Sequence, residues 1–136
     1  MMEAENRSVI VRGIVSSGIG EGRKFTSLPW FERQVEENLG FKPYPGTLNL
    51  IVCEGCESLE RILLDNRLGY RIVSENGYFP GVIYRAIVAS SFPGGIVRPC
   101  VPKYPINLIE VIASVCLRRA LNLKDGDKIE VEIFFK

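Results

Sequence analysis

The sequence contains no histidine, and among its 136 residues there are four cysteines and one tryptophan. Without histidine the usual general base near neutral pH and the usual transition-metal ligand are both missing. Any catalysis then rests on carboxylates, hydroxyls, charge and positioning. Cys53 and Cys56 have the CxxC spacing of a redox pair or half a zinc site. Cys100 and Cys116 do not form a second close pair, which argues against a zinc ribbon. The expectation for Cys53 and Cys56 is ordinary packing or a loop disulfide. Charge of one sign is also scarce in excess, since the net charge is +1. That removes any general electrostatic reason for a long nucleic acid or an anionic membrane as partner, while a local cluster still suffices for a small anion. The first twenty residues carry Glu3, Glu5, Arg7 and Arg12 and no uninterrupted apolar run. Neither a signal peptide nor a membrane span is expected, and a cytoplasmic location is. No repeat, low-complexity tract or linker interrupts the chain.

What is present fits a single domain, since 136 residues of 46% hydrophobic composition suit one core. Ser8 to Ser16 is rich in β-branched residues and reads as a strand that runs into a glycine-rich loop. A helix is expected from a Ser27 N-cap, with Pro29 in its first turn, to Leu39, ended by Gly40. Thr47 to Cys53 alternates as a strand, with Leu48, Leu50 and Val52 on one face and Thr47 and Asn49 on the other. A short helix is expected over Glu57 to Asn66, and strands near Tyr70 to Ser74 and Val82 to Ala89 about a Glu75-Asn76-Gly77 turn. Phe92 to Pro105, with four prolines and two glycines, reads mainly as a loop with a brief strand at Ile96 to Arg98. A strand over Leu108 to Ala113, a helix over Val115 to Leu123 and a closing strand over Lys128 to Phe135 complete the pattern. Many short strands with few helices suggest a closed barrel.

Chemistry concentrates in three places. In Gly18-Ile19-Gly20-Glu21-Gly22-Arg23-Lys24, glycine at every second position frees backbone N–H groups to meet phosphate oxygens, and Arg23 and Lys24 add charge. Taken alone this is a glycine-rich hairpin turn. It is not a P-loop, because no GKS or GKT follows, and it lacks the GxGxxG spacing. Thr47 and Asn49, two apart on a strand, are either a polar pair on a solvated face or two neutral oxygen ligands for one small hard cation. Glu110 interrupts an apolar strand, where a carboxylate needs water, a partner or a ligand. It is either an outward-facing residue or a functional one. Arg118 and Arg119 read as a solvated helix face.

With these segments in order, the chain resembles the archaeal CTP-dependent riboflavin kinases. SGIGEGRKFTSLPWF, LGFKPYPGTLNL, LIEVIAS with the following LRRALNL, and LKDGDKIEVEI carry the likeness, which spans almost the whole length and is weakest from Cys53 to about Ser91. The resemblance implies a mainly β fold, a six-stranded cradle-loop β-barrel with a few short helices. It implies transfer of the γ-phosphate of CTP to the 5′-hydroxyl of riboflavin, giving FMN and CDP. By the same likeness Gly18, Ile19, Gly20, Glu21, Gly22 and Arg23 wrap the nucleotide, and Val115, Cys116, Leu117 and Arg118 read the cytosine and ribose, largely through backbone groups. Thr47 and Asn49 carry Mg²⁺. The likeness implies that Glu110 contacts the flavin side, and Glu110 is expected to orient the acceptor hydroxyl while Arg23 and Lys24 are expected to neutralise developing charge. Pro102 stands where the family has a threonine that touches the flavin, and Tyr104 is the substitute hydroxyl.

Phosphoryl transfer through a loose transition state depends on in-line positioning and charge neutralisation, so the missing histidine is no obstacle. The expected partners are riboflavin and CTP, with no nucleic acid or membrane, and a monomer is favoured. Two other readings compete. A barrel-type DNA-binding regulator is suggested by the closing LKDGDKIEVEI strand, against the neutral charge and the lack of a recognition-helix pattern. A flavin- and nucleotide-binding barrel with weakened turnover is suggested by Pro102.

Overall fold

The structure, a computed structural model, describes residues 7–17, 25–63, 65–75 and 77–136. Gly18 to Lys24, and Asn76 of the expected turn, lie outside the described residues. Among the described residues seven strands run in the order β1 (Ser8–Ser16), β2 (Leu48–Glu54), β3 (Tyr70–Ile72), β4 (Gly81–Val88), β5 (Phe92–Pro99), β6 (Leu108–Ala113) and β7 (Lys128–Phe134). Among the described residues the short helices α1 (Pro29–Leu39), α2 (Cys56–Leu63) and α3 (Leu117–Ala120) lie between them. Each strand is antiparallel to its neighbours. The order β4, β5, β6, β2, β1, β7 closes on itself because β4 also pairs with β7, and β3 is added to the open edge of β4. The result is the expected six-stranded barrel with one extra strand.

Alternation along the strands builds two cores. Val11 and Val15, Leu50 and Val52, Tyr84, Ala86 and Val88, Ile109 and Val111, and Val131 and Ile133 turn inward and fill the barrel. A second core lies outside it, where Trp30, Phe31, Val35 and Leu39 of α1 pack on Ile72, Ile83, Val97 and Ile112. Those four helical side chains recur on one face, and each contributes about 1.5–3 kcal/mol by burial. The Gln34 carboxamide accepts from Val73 N at 2.8 Å and donates to Val73 O at 2.9 Å, which ties the helix to the chain after β3.

Several boundaries differ from the sequence expectation. Leu28, not Ser27, is the N-cap of α1, with Pro29 at the first helical position, while Gly40 ends the helix as expected at φ 85°. The helix expected to reach Asn66 stops at Leu63 and is followed by a 3₁₀ turn, and the one expected over Val115 to Leu123 is the single turn α3. The largest correction concerns Phe92 to Pro105. Its first eight residues form the full strand β5 between β4 and β6. Pro93 and Pro99 stand at its ends, and the pairing with β6 begins only at Gly94, so the missing proline N–H groups cost the ladder little. Gly94 and Gly95 are there for space. A Cβ on Gly94 would lie 2.5 Å from Ile112 O, and one on Gly95 would lie 2.5 Å from Leu39 Cδ1. Cys53 and Cys56 are exposed free thiols with no disulfide between them, and they donate to Arg12 O and Val52 O at 3.5 Å.

Candidate active site

Thr47 immediately precedes β2, and the strand's alternation sends Leu48, Leu50 and Val52 into the barrel and leaves Asn49 outside it. The ladder then sets Asn49 opposite Ser16 of β1 and opposite Glu110 of β6. Glu110 is outward because its neighbours Ile109 and Val111 are inward. Three oxygens converge as a result. Thr47 Oγ1 lies 3.1 Å from Asn49 Oδ1 and 3.3 Å from Glu110 Oε1. On the other side of the carboxylate, the Tyr104 hydroxyl donates a hydrogen bond to Glu110 Oε2. Burial, and then that bond, pushes the Tyr104 phenol well above the ordinary tyrosine range, which keeps it a neutral donor. Pro102, two residues earlier, is exposed and has no hydroxyl.

Thr47 also lines a cavity of about 220 Å³ whose walls are Tyr44 to Leu48 on one side and Val115 to Arg119 on the other. Val115, Cys116, Leu117 and Arg118, named from sequence as one group, therefore do meet Thr47 across a cleft. Gly46, at φ 109°, makes the turn before Thr47, and its N–H donates to the buried Thr26 Oγ1 at 2.8 Å. Arg119 donates to the Tyr44 hydroxyl at 2.9 Å and so joins the two walls. Arg118 Nη2 donates to Asp125 Oδ1 at 2.9 Å, and Ser17 Oγ donates to Asp125 Oδ2 at 2.6 Å. These donors hold the Asp125 carboxyl below its usual range, Ser17 first and Arg118 next. Ser17 and Thr26 flank the glycine segment in the chain. One is tied to the α3 side of the cavity and the other to the Gly46 side.

The donor set excludes some chemistry and suits other. Among the described residues no three of His, Cys, Asp and Glu converge, so no cluster of soft sulfur or imidazole ligands is offered there. An oxygen set of hydroxyl, carboxamide and carboxylate suits a hard cation. Octahedral magnesium binds oxygen at about 2.0–2.1 Å, which puts ligands on adjacent corners about 2.9 Å apart. The 3.1 Å separation of the Thr47 and Asn49 oxygens fits that edge.

Known proteins give the family. A family model named for CTP-dependent riboflavin kinases, and described as a domain of unknown function (DUF120), matches residues 15–133. The riboflavin kinase of Sulfolobus acidocaldarius is 36% identical over 96% of this chain and 85% of its own length. That of Sulfurisphaera tokodaii is 35% identical over 91% and 94%, and that of Saccharolobus solfataricus 32% over 93% and 75%. The chain belongs to the CTP-dependent riboflavin kinase family.

Of the residues expected from that family, Thr47, Asn49, Glu110 and Tyr104 are brought into one cluster, and the Val115 to Arg118 group is placed at the adjoining cavity. Gly18, Ile19, Gly20, Glu21, Gly22, Arg23 and Lys24 lie outside the described residues. Sequence reasoning missed Arg98, Tyr44 and Asp125. Arg98 is half-buried and donates to Pro105 O and Tyr104 O, a role whose sole trace in the sequence is an arginine between a buried valine and a proline. Arg119, read as solvated, is exposed as expected and also donates to the Tyr44 hydroxyl at the cavity wall.

Proposed function

We propose that the protein transfers the γ-phosphate of CTP to the 5′-hydroxyl of riboflavin, giving FMN and CDP. Family membership supports riboflavin phosphorylation. The observation that carries the finer reading is the double position of Thr47, which is at once part of the cavity wall and of the oxygen cluster that holds Glu110. A nucleotide in the cavity and a hydroxyl acceptor at Glu110 meet there, so donor and acceptor are brought together without any further group.

Val115, Cys116, Leu117 and Arg118 form the base-and-ribose side, and Gly18 to Arg23 the phosphate side, the latter proposed from its glycines and from its flanks at the cavity. Thr47 and Asn49 would hold Mg²⁺, which when bound offsets phosphate charge; their neutrality makes the cation's binding depend on the nucleotide. Arg23 and Lys24 supply further positive charge. Glu110 keeps acceptor capacity beyond the bonds from Thr47 and Tyr104 and directs the incoming hydroxyl. Tyr104 provides the hydroxyl that Pro102 lacks on the flavin side. All these residues belong to one chain, so a monomer suffices, and a net charge of +1 gives no electrostatic case for nucleic acid. No helix among the described residues is long and apolar enough to cross a membrane, and the cytoplasm is the proposed location.

Calorimetric titration with CDP and ADP, each with and without Mg²⁺, alongside turnover of riboflavin with CTP, tests this. Preferential, magnesium-dependent CDP binding with FMN formation is expected. Equal or absent binding of both nucleotides refutes the CTP reading. Riboflavin binding without CTP consumption would assign the chain to a barrel that binds flavin without turning it over.

A further inference from the structure

Arg98, near the end of β5, does not line the nucleotide cavity. Its guanidinium turns instead to the segment that carries Tyr104. Nη1 donates to Pro105 O at 2.7 Å, Nη2 donates to Tyr104 O at 3.2 Å, and Cζ stands 4.5 Å from the centre of the Tyr104 ring. A planar fork that binds two consecutive carbonyls while covering the ring fixes the backbone and the ring of one residue together. The turn needs such a hold, because Lys103 just before it has φ 64°, a left-handed conformation uncommon for a residue with a side chain. The ring so fixed does not point its hydroxyl at a backbone acceptor. It donates to Glu110 Oε2, while Glu110 Oε1 accepts from Thr47 at 3.3 Å.

We infer that Arg98 and Tyr104 are positioning residues that set the direction of the Glu110 carboxylate toward the acceptor hydroxyl, an inference that rests on the role given to Glu110 above. A carboxylate on a flexible stem that must meet one hydroxyl in line with a phosphate loses rate when its direction wanders. Thr47 restrains one oxygen and Tyr104 the other, and Arg98 anchors Tyr104. Asn49, opposite Glu110 in the ladder, completes the frame.

Steady-state kinetics on a double-mutant cycle tests it, with riboflavin varied at saturating CTP and Mg²⁺ and CTP varied at saturating riboflavin. Arg98→Met and Tyr104→Phe are expected to lower kcat by about ten- to a hundredfold, with KM for CTP unchanged. Arg98→Lys, which keeps a cation over the ring but loses the fork, recovers part of that loss. In a Glu110→Gln background Arg98→Met costs nothing further, because its effect runs through Glu110. An equal loss in both backgrounds, or an unchanged kcat in Arg98→Met, overturns the inference. Where Arg98→Met fails a thermal melt, Tyr104→Phe, which removes one oxygen, carries the same cycle with Glu110→Gln and the same two outcomes. A wild-type protein without turnover refutes the kinase reading separately. The cycle is then read in riboflavin affinity by quenching of flavin fluorescence, where non-additivity upholds the clamp and additivity removes it.

Discussion

Glu110 accepts from the Thr47 hydroxyl on one carboxylate oxygen and from the Tyr104 hydroxyl on the other, so its carboxylate is held from both sides before any substrate arrives. What such a residue contributes can be separated by charge. Glu110→Gln keeps a carbonyl to accept from Thr47 or Tyr104 but loses both the negative charge and the ability to take a proton. We expect kcat to fall by about a hundredfold, with CDP affinity unchanged in calorimetry. Unchanged turnover would remove Glu110 from the mechanism. Thr47 and Asn49 differ in kind, because each offers a neutral oxygen, and Thr47 also lines the cavity. Thr47→Ala and Asn49→Ala are each expected to raise the Mg²⁺ concentration for half-maximal rate by about tenfold or more, with the fold intact by circular dichroism. A magnesium dependence identical to wild type in both variants would place the cation elsewhere. At this scale much of the candidate site was legible, since a polar pair at two-residue spacing and a carboxylate in an apolar strand are visible without coordinates. Arg98 was not, because its partners are main-chain carbonyls, and no residue type announces a carbonyl.

Elements were legible where one periodicity ran unbroken and illegible where composition pointed the other way. The α1 face, Gly40 at its end and the β2 alternation all follow from spacing. Phe92 to Pro99 misleads because two prolines and two adjacent glycines signal a loop, yet each has a place in a strand: the prolines at its ends, the glycines where backbone and helix come too close for a Cβ. That account makes a ranked prediction. In Gly94→Ala the new methyl meets the carbonyl oxygen of Ile112, which belongs to the neighbouring strand and cannot turn aside. In Gly95→Ala the closest atom is Leu39 Cδ1, the end of a flexible side chain, with the Tyr84 carbonyl at 3.1 Å as the second constraint. We expect Gly94→Ala to destabilise by about 2–3 kcal/mol in urea denaturation and Gly95→Ala by less. The reverse order would mean that α1, and not β6, limits the space over β5. Gly40→Ala provides a local comparison, since its left-handed φ of 85° with open space around it makes the cost one of backbone alone, about 1 kcal/mol.

At the scale of the molecule, the barrel exists because β4 pairs on both sides, with Ala86 opposite both Gly94 of β5 and Ile133 of β7. The first and last strands also pair, Ser8 opposite Phe134. The β1–β7 pairing joins residues more than a hundred positions apart, and single-sequence periodicity carries no register between distant segments, which is why closure was inferred from strand count and from likeness. Closure has a measurable consequence at Tyr84. This residue points into the barrel with 1% of its surface exposed, and its hydroxyl lies 3.5 Å from Ile62 O of α2. Burial pushes its pKa up to about 12, above the ordinary tyrosine value of 10.0. The folded state therefore favours the neutral phenol more than the unfolded chain does. The stabilisation is fully present below pH about 10 and is lost as pH rises towards about 12, a change of about 3 kcal/mol. Burial raises Tyr104 in the same direction, so a comparison is needed to isolate one phenol. Tyr84→Phe keeps the ring in the core and removes the titrating group. Between pH 10 and 12 the wild type should lose stability relative to Tyr84→Phe by roughly that amount in urea titrations, while the difference stays constant from pH 7 to 9. Parallel curves across the alkaline range would mean that the phenol reaches solvent when it ionises, and that the barrel opens locally around Tyr84 instead of unfolding as one unit.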